Sequence, residues 1–326
     1  MDDEAIEAII SKYGRQAVEI KPAQIGYRNH NYAFTDTNGN KCNLILYKRE
    51  PGVLKQIKNA NYVADYAAHY GLPARQTIDP RIIRLESSNS IGYGSLYNYL
   101  PGHTISWEAY TMEHIKLLGE AMANLHKAIL PLKRHDLDLA TENYHQLLAR
   151  MTQYFNQPGV QESINQKLGL ELDSSVWLYD NLLAELDRHD NQQPLHLDFV
   201  RGNILFSGTT KLKVSGILDF EKVAWGSPML DIARTLAFLL VDCKYKRPTQ
   251  VLKYFLQSGY IKRGGGKGVD KQLLQVMTNF FMLHDFYKFL LHNPYESLHQ
   301  NEHYNRTQAF LLNRGLLVRT PKNARI

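Results

Sequence analysis

The spacing of apolar residues changes along the chain from a period typical of strands to one typical of helices. Residues 3–13 place isoleucines on one side behind an acidic start, which predicts a short amphipathic helix. Two predicted strands follow, NYAFTD at 31–36 and KCNLILYK at 41–48. They are joined by TNGN, whose Asn-Gly pair favours a tight hairpin turn. The N-terminal part is therefore predicted to contain a small antiparallel sheet.

A helix and a second pair of strands complete this predicted N-terminal part. The helix is expected at about 52–70, because Gly71 and Pro73 would end it. The strands are expected near 81–86 and 92–99, and the second of them runs into a Pro-Gly pair.

Beyond Pro101 and Gly102 the apolar period becomes helical. One face of a long helix is formed by five regularly spaced apolar residues, Ile115, Leu118, Met122, Leu125 and Ile129. The chain has 326 residues and exceeds a typical single domain, so two lobes are predicted. They are a nucleotide-binding lobe at 1–100 and a mainly helical lobe at 101–326, which makes the predicted fold class α+β.

The stretch HLDFVRGN, at 196–203, concentrates polar residues before an apolar run. Asp198 stands two residues after His196, and Asn203 stands five residues after Asp198. The apolar run ILF follows, and the apolar strand within VSGILDFE then ends at Asp219, so the two runs predict a hairpin across SGTTKLK. Taken alone, these polar residues also suit an ordinary turn between two strands.

The same order of residues is suited to phosphoryl transfer. An aspartate beside an attacking hydroxyl can accept its proton, while an asparagine and a second aspartate can hold Mg²⁺ on nucleotide phosphates. In protein kinases the order is H-R-D-x-x-x-x-N followed by D-F-G. Leu197 and Glu221 replace the arginine and the last glycine, which points away from the regulated protein kinases. We therefore predict Asp198 as the base and a magnesium site formed by one amide and one carboxylate.

Several motifs in the correct order resemble the aminoglycoside phosphotransferase family, whose relatives include choline, homoserine and fructosamine kinases. The resemblance extends over roughly residues 26–231, and its motifs are GYRNHNYAF, YNYLPGHTI, LGEAMANLH, HLDFVRGN and GSPMLDIA. It implies a bilobal protein-kinase-like fold, ATP and Mg²⁺ as cofactors, and a small-molecule alcohol as acceptor. It also implies that Asp198 is the base, that Asn203 and Asp219 bind the metal, and that a buried Asp231 braces the catalytic loop. His196 is then expected to be a structural part of that loop.

The resemblance further implies residues that bind the nucleotide in the small lobe. Asn29 belongs to the strand over the nucleotide, and Lys48 is the candidate for the phosphates. Alternation would place Lys48 on the same face as Leu46, which could then form the floor of the adenine pocket. The family's commoner x-L-K-x-Y pattern instead puts Ile45 at the lysine position and leaves Lys48 on the surface.

The glutamate that usually pairs with this lysine is missing from VLKQIKNANYVADYAAHYG. Asn61 or Asp65 is expected to take its place by hydrogen bonding to the lysine. For the adenine ring, we expect main-chain groups of the segment between the lobes to make the contacts, at three residues: Asn98, Tyr99 and Leu100.

Composition agrees with a cytoplasmic enzyme. Hydrophobic residues make up 44% of the chain and the net charge is +6, without a dense basic tract of the kind that binds nucleic acid. Two cysteines are too few for a disulfide framework, and neither a membrane span nor a signal peptide is predicted. The glycine-rich stretch KRGGGKGVD, at 262–270, lacks the spacing of a phosphate-binding loop and is expected to connect helices.

The acceptor is the least determined part of the prediction. The tail 299–326 contains five Lys or Arg residues and one acidic residue, Glu302, so its charge disfavours a polycationic acceptor. A small neutral or anionic alcohol is expected, and the oligomeric state is left open. Two alternatives remain: a protein Ser/Thr kinase of the stress-kinase type, and an inactive nucleotide-binding pseudokinase.

Overall fold

The computed structural model describes most of the chain, in two compact units. The residues described are 3–21, 24–25, 29–86, 91–173, 179–188, 191–208, 211–265 and 269–320. Unit 1 comprises residues 1–104 and 202–223, and unit 2 comprises residues 105–201 and 224–326. The segment that carries the predicted hairpin therefore groups with the N-terminal unit.

Unit 1 is built on a six-stranded antiparallel sheet. Its elements are α1 (Asp3–Ser11), β1 (Ala17–Ile20), β2 (Gln24–Ile25), β3 (Asn29–Asp36), β4 (Lys41–Lys48), α2 (Val53–His69), β5 (Thr77–Arg84) and β6 (Ile91–Asn98). The strand order is β1-β3-β4-β6-β5, and β2 pairs with β3. The predicted hairpin between β3 and β4 is confirmed, with Gly39 in the left-handed conformation that the turn requires.

The two faces of β4 pack against different helices. Leu44 and Leu46 are fully buried in a cluster with the isoleucines of α1, whereas Ile45 and Tyr47 pack with residues of α2. The expectation that Leu46 forms the floor of an adenine pocket is therefore wrong, because α1 covers that face. Alternation also does not extend to Lys48, since the pairing with β6 shifts register between Tyr47 and Lys48.

A second antiparallel pair completes unit 1. It consists of β9 and β10, which span Ile204–Ser207 and Lys213–Ile217. Gly102 allows the chain to pass close to this hairpin, because a Cβ atom there would lie 2.8 Å from the carbonyl oxygen of Phe206.

Unit 2 is mainly helical. Its helices are α3 (Met112–Ile129), α4 (Ala140–Phe155), α5 (Pro158–Ser163), α6 (Tyr179–Arg188), α7 (Pro228–Asp242), α8 (Pro248–Leu252), α9 (Lys271–His292) and α10 (Glu302–Asn313). Its short strands are β7 (Leu170–Leu172), β8 (Gln193–Leu195), β11 (Ala224–Gly226) and β12 (Leu317–Arg319), which pair as β8 with β11 and β7 with β12.

Short stretches of 3₁₀-helix and of wider π-helix connect these elements. The 3₁₀ turns are Trp107–Ala109, Arg201–Asn203 and Tyr295–Gln300, and the π-helical segments are Ile164–Leu168 and Lys253–Gly265. The predicted long helix is confirmed as α3. Of the glycine-rich stretch 262–270, the first four residues end the longer π-helix, and residues 266–268 lie outside the described part of the chain.

Candidate active site

The predicted catalytic loop follows β8 in unit 2 and is held by Asp231 in the first turn of α7. The carboxylate of Asp231 accepts backbone hydrogen bonds from His196 at 2.8 Å and from Leu197 at 2.6 Å. Asp231 is only 1% exposed. A buried carboxylate that accepts two main-chain N–H groups fixes the path of the backbone, so the predicted bracing role of Asp231 is confirmed.

The loop turns sharply just before Asp198. Leu197 has a φ of +56°, a left-handed conformation that costs an L residue roughly 1–2 kcal/mol. The bond from its N–H to Asp231 holds it there, and the next residue, Asp198, is half-buried. Strain of this kind is kept only where the surroundings impose it.

A buried chain of polar side chains supports Asp231 from behind. The imidazole of His126 on α3 lies 3.0 Å from the Asp231 carboxylate, and its other nitrogen lies 2.8 Å from the hydroxyl of Tyr260. Burial alone would raise the pKa of Asp231, but the hydrogen bond from His126 and the neighbouring imidazoles lower it below its ordinary value. The carboxylate is thus kept ionised as an acceptor for the loop.

His196 packs inside the loop. Its side chain is 1% exposed, its Nδ1 atom accepts the backbone N–H of Asp198 at 3.2 Å, and its ring meets Phe199 edge-on. The hydroxyl of Thr235 donates to the carbonyl oxygen of Phe199. These contacts agree with a structural role for His196.

The two predicted metal ligands are brought to one end of the β9–β10 hairpin in unit 1. Asn203 directly precedes β9, and Asp219 stands two residues after β10, whose last residue pairs with the first of β9. The N–H of Leu218 donates to the carbonyl oxygen of Asn203 at 2.8 Å. Asp219 has a φ of +56° and both predicted ligands are half-buried.

This pair of residues fits a hard cation shared with phosphate groups. One amide oxygen and one carboxylate are ligands that Mg²⁺ accepts, and its remaining positions are usually filled by phosphate oxygens and water. Among the residues that the structure describes, no group of three or more His, Cys, Asp or Glu side chains forms a metal cluster. A site of only two protein ligands does not require such a cluster.

The predicted nucleotide-binding residues of unit 1 lie along the sheet. Asn29 begins β3 opposite Tyr47, and Lys48 ends β4, where it is half-buried. The N–H of Asn98 donates to Gln76.

The main-chain N–H of Tyr99 is also used within the sheet, since it donates to the carbonyl oxygen of Lys41. These two N–H groups already have partners within unit 1. The other main-chain groups of residues 98–100, including those of Leu100, remain the predicted adenine contacts.

The residues expected to replace the helix glutamate bond to other partners than the predicted lysine. Asn61 accepts a hydrogen bond from the hydroxyl of Tyr97 at 2.9 Å. Asp65 accepts bonds from both the backbone and the hydroxyl of Thr77, which ties α2 to the start of β5.

An ion pair that the sequence did not predict, between the buried Arg75 and the largely buried Glu221, lies next to the predicted metal ligands. Arg75 donates to Glu221 at 2.7 Å and to Tyr47 at 3.3 Å, and its guanidinium lies 4.2 Å from the ring centre of Tyr97. Burial alone would raise the pKa of Glu221, but the charge of Arg75 lowers it to about 2. The departure from D-F-G to D-F-E was the one sequence signal for this pair, and its arginine partner is not near in sequence.

A second group that the sequence did not predict lies in unit 2. Arg234 on α7 forms a two-pronged ion pair with Asp285 on α9, with both N···O distances 3.0 Å. Burial raises the pKa of the nearby Tyr144 phenol; the charge of Arg234 opposes this rise, and the charge of Asp198 adds to it. Tyr144 is thus within electrostatic range of the predicted base.

Comparisons with known proteins place these features in a wider context. The profile of the family described as "Phosphotransferase enzyme family" matches residues 19–255. Hydroxylysine kinase from Xenopus laevis is 22% identical over 268 residues, which cover 74% of this chain and 70% of that protein. Among the described residues, no helix has the length and apolar character needed to cross a membrane.

Solved structures share the fold over nearly the whole chain. The amicoumacin kinase hAmiN, in complex with AMP-PNP, Ca²⁺ and Ami, has a TM-score of 0.67 at 14% identity and covers 98% of each chain. A microcompartment-associated aminopropanol kinase has a TM-score of 0.67 at 14% identity, with coverage of 96% of this chain and 99% of that one. The macrolide 2'-phosphotransferase MphH from Brachybacterium faecium has a TM-score of 0.60 at 16% identity, with coverage of 94% and 96%. The predicted kinase-like α+β fold is confirmed.

Proposed function

The chain belongs to the phosphotransferase enzyme family, as its motifs indicated, and on that premise we propose that it transfers the γ-phosphoryl group of ATP to a small alcohol. It is a small-molecule phosphotransferase, and the proposal concerns its nucleotide, its metal and the roles of its residues. Asp198 acts as the base, and Asn203 and Asp219 hold Mg²⁺.

The proposal rests on the two hydrogen bonds by which Asp231 holds the backbone just before Asp198. Two backbone hydrogen bonds and a left-handed Leu197 hold the residue before the base in one conformation. A base must be positioned before it can take a proton from the acceptor hydroxyl as the new O–P bond forms. A positioned base of this kind contributes about 10²–10⁴-fold to the rate.

The ligand residues at the end of the hairpin support the metal part of the proposal. When bound with ATP, Mg²⁺ would offset the negative charge of the transferring phosphates. Asn203 and Asp219 are covalently tied to opposite strands of one hairpin, and the bond from Leu218 to Asn203 holds their backbones together.

Lys48 remains the proposed contact for the phosphates. Asn29, in the strand over the nucleotide, remains a proposed nucleotide contact. Main-chain groups at 98–100 remain the proposed contacts for adenine, without the N–H groups of Asn98 and Tyr99, which donate to Gln76 and Lys41.

The proposed acceptor is a small hydroxylated amine or amino acid. The relatives named above include kinases of hydroxylysine and aminopropanol, both small alcohols that carry an amine. The chain has a net charge of +6, which disfavours a polycation such as an aminoglycoside. A carboxylate on the acceptor would suit this charge.

The experiment that tests this function is an assay of ATP consumption with Mg²⁺ over a panel of acceptors. The panel contains 5-hydroxylysine, 1-amino-2-propanol, homoserine, choline, kanamycin, hygromycin and casein. Turnover of one of the small amino alcohols is expected, with a loss of about a thousandfold in kcat for Asp198→Asn.

The matched control is Asp180→Asn, because Asp180 lies in the same unit and its side chain is 66% exposed. Its kcat is expected to equal that of the wild type. Preferred turnover of kanamycin would contradict the acceptor assignment, and transfer to casein would favour a protein kinase. Tight ATP binding without turnover of any acceptor would favour a pseudokinase.

A further inference from the structure

The turn that carries Asp219, residues 217–221, is held at both of its ends by one short stretch of chain. At the first end, the N–H of Ile217 donates to the carbonyl oxygen of Pro73 at 2.7 Å, and the N–H of Arg75 donates to the carbonyl oxygen of Ile217 at 3.1 Å. At the other end, the Arg75 guanidinium donates to the Glu221 carboxylate at 2.7 Å. Arg75 thus bonds to both ends of the turn, once by its backbone and once by its side chain.

Asp219 lies between these two attachments in a conformation that needs support. Its φ of +56° is rare for a residue with a side chain, and the next residue, Phe220, is fully buried. A turn with a fixed start, a fixed end and a buried middle leaves the Asp219 carboxylate few directions to point. The direction of that carboxylate decides whether it can bind a cation together with Asn203.

The surroundings of the Arg75–Glu221 ion pair restrict its movement. Arg75 is 3% exposed, and the ring of Tyr97 covers its guanidinium at 4.2 Å. The Tyr47 hydroxyl accepts a hydrogen bond from Arg75 at 3.3 Å and can donate one to Glu221 at 3.1 Å. Because Arg75 is buried and the Glu221 side chain is only 14% exposed, water screens this ion pair little.

The polar chain continues from this pair to α2. The hydroxyls of Tyr47 and Tyr97 lie 2.8 Å apart, and Tyr97 donates to Asn61. Each phenol has one proton, so the two tyrosines can direct their protons either toward Glu221 or toward Asn61. The helix that would carry the family's glutamate is thereby joined to the turn at Asp219 through neutral groups.

From these contacts we infer that Arg75 is a positioning residue for the metal site, acting through Glu221 on the turn that carries Asp219. The inference rests on the proposed function, because it takes Asp219 as a ligand of Mg²⁺. Arg75 does not touch the metal or the nucleotide in this role; it sets the geometry of the residue that does.

A purely structural ion pair would give a different result from a positioning one. If the pair only stabilises unit 1, its removal lowers the melting temperature and leaves the affinity for metal and nucleotide unchanged in the folded protein. If it positions Asp219, a folded variant without the pair binds metal and nucleotide more weakly. The affinity of the folded protein therefore separates the two roles.

The test uses the full chain with both members of the pair replaced, Arg75→Met with Glu221→Leu. Removing both charges avoids leaving one of them buried alone, so the double variant is expected to fold. Binding of AMP-PNP is measured by calorimetry at a series of Mg²⁺ concentrations, without turnover. We expect the Mg²⁺ concentration for half-maximal binding to rise at least tenfold, and amide hydrogen exchange of residues 217–223 to become faster.

The matched control is Arg15→Met with Asp36→Asn, which removes both charges of an arginine–aspartate pair elsewhere in unit 1. Its Mg²⁺ requirement is expected to be that of the wild type. If the folded double variant and the control both require Mg²⁺ within twofold of the wild type, the inference is wrong.

Asp219→Asn distinguishes a failure of the inference from a failure of the proposed function. If this variant loses Mg²⁺-dependent binding of AMP-PNP while the double variant keeps it, only the positioning role of Arg75 fails. If Asp219→Asn binds Mg²⁺ and AMP-PNP like the wild type, the proposed metal site fails, and the inference fails with it.

Discussion

Leu197 and Asp219 share a backbone conformation that is unusual for residues with side chains. Among the residues described, three non-glycine residues have positive φ, and these two have +56° each. One directly precedes the proposed base and the other is a proposed metal ligand. Each is held by hydrogen bonds or ion pairs on neighbouring residues, so the strain is concentrated where side-chain direction matters for the reaction.

Asp231→Asn tests this support at the level of one residue. The amide keeps the shape of the carboxylate but turns one acceptor into a donor that faces backbone N–H groups. We expect a loss of about 3 kcal/mol in the free energy of unfolding and at least a tenfold lower kcat. Chemical denaturation and steady-state kinetics measure the two effects, and a loss below about 1 kcal/mol would contradict the bracing role.

At the scale of elements, two glycines allow α3 and the π-helix Lys253–Gly265 to approach closely. A Cβ atom at Gly119 would lie 2.2 Å from the carbonyl oxygen of Phe255, and one at Gly259 would lie 2.6 Å from that of Lys116. This close contact brings Tyr260 to His126, and through it to Asp231. Helix packing in unit 2 is thus linked to the proposed catalytic loop by a chain of three side chains.

Gly119→Ala should therefore disturb both packing and the loop. Because the new methyl group would overlap backbone atoms, we expect destabilisation of about 1–3 kcal/mol and a lower kcat. Gly159→Ala is the control, since no heavy atom lies within 4 Å of a Cβ atom there. Thermal unfolding of the two variants would show the difference, and equal melting temperatures would exclude the proposed close contact.

At the scale of the whole molecule, each unit contains a carboxylate of low exposure whose pKa is lowered by its partners. These are Glu221 in unit 1, with a pKa of about 2, and Asp231 in unit 2. A carboxylate with a lowered pKa in the folded state contributes stability above its unfolded value, 4.5 or 3.8 here. That contribution is lost as the pH falls toward the folded value, because the unfolded chain takes up the proton first.

The free energy of unfolding should therefore fall between about pH 5 and pH 2, as these two groups become protonated on unfolding. Glu221 contributes to this change because the charge of Arg75 holds its pKa well below the ordinary value in the folded state. Denaturant titrations of the wild type and Glu221→Gln over this pH range measure it. A variant with the same slope as the wild type would show that Glu221 does not contribute.

The sequence predicted much of the fold because its signals are local. The Asn-Gly turn between β3 and β4, the helical period of α3 and the glycine after α2 act over a few residues, and the structure has these elements there. The motif HLDFVRGN and the following hairpin could also be predicted, because the spacing of Asp198 and Asn203 is fixed by the sequence and needs no distant partner. The bracing role of Asp231 followed from a motif in its own helix.

Tertiary structure decided what depends on partners distant in sequence. Alternation along β4 showed that Leu44 and Leu46 share a face, but only packing showed that α1 covers that face. Glu221 was visible as a departure from D-F-G, yet its partner Arg75 is 146 residues away. A local pattern determines which side chains point the same way, whereas the neighbour that a buried charge meets is set by how separate segments pack, because only a folded chain brings them together.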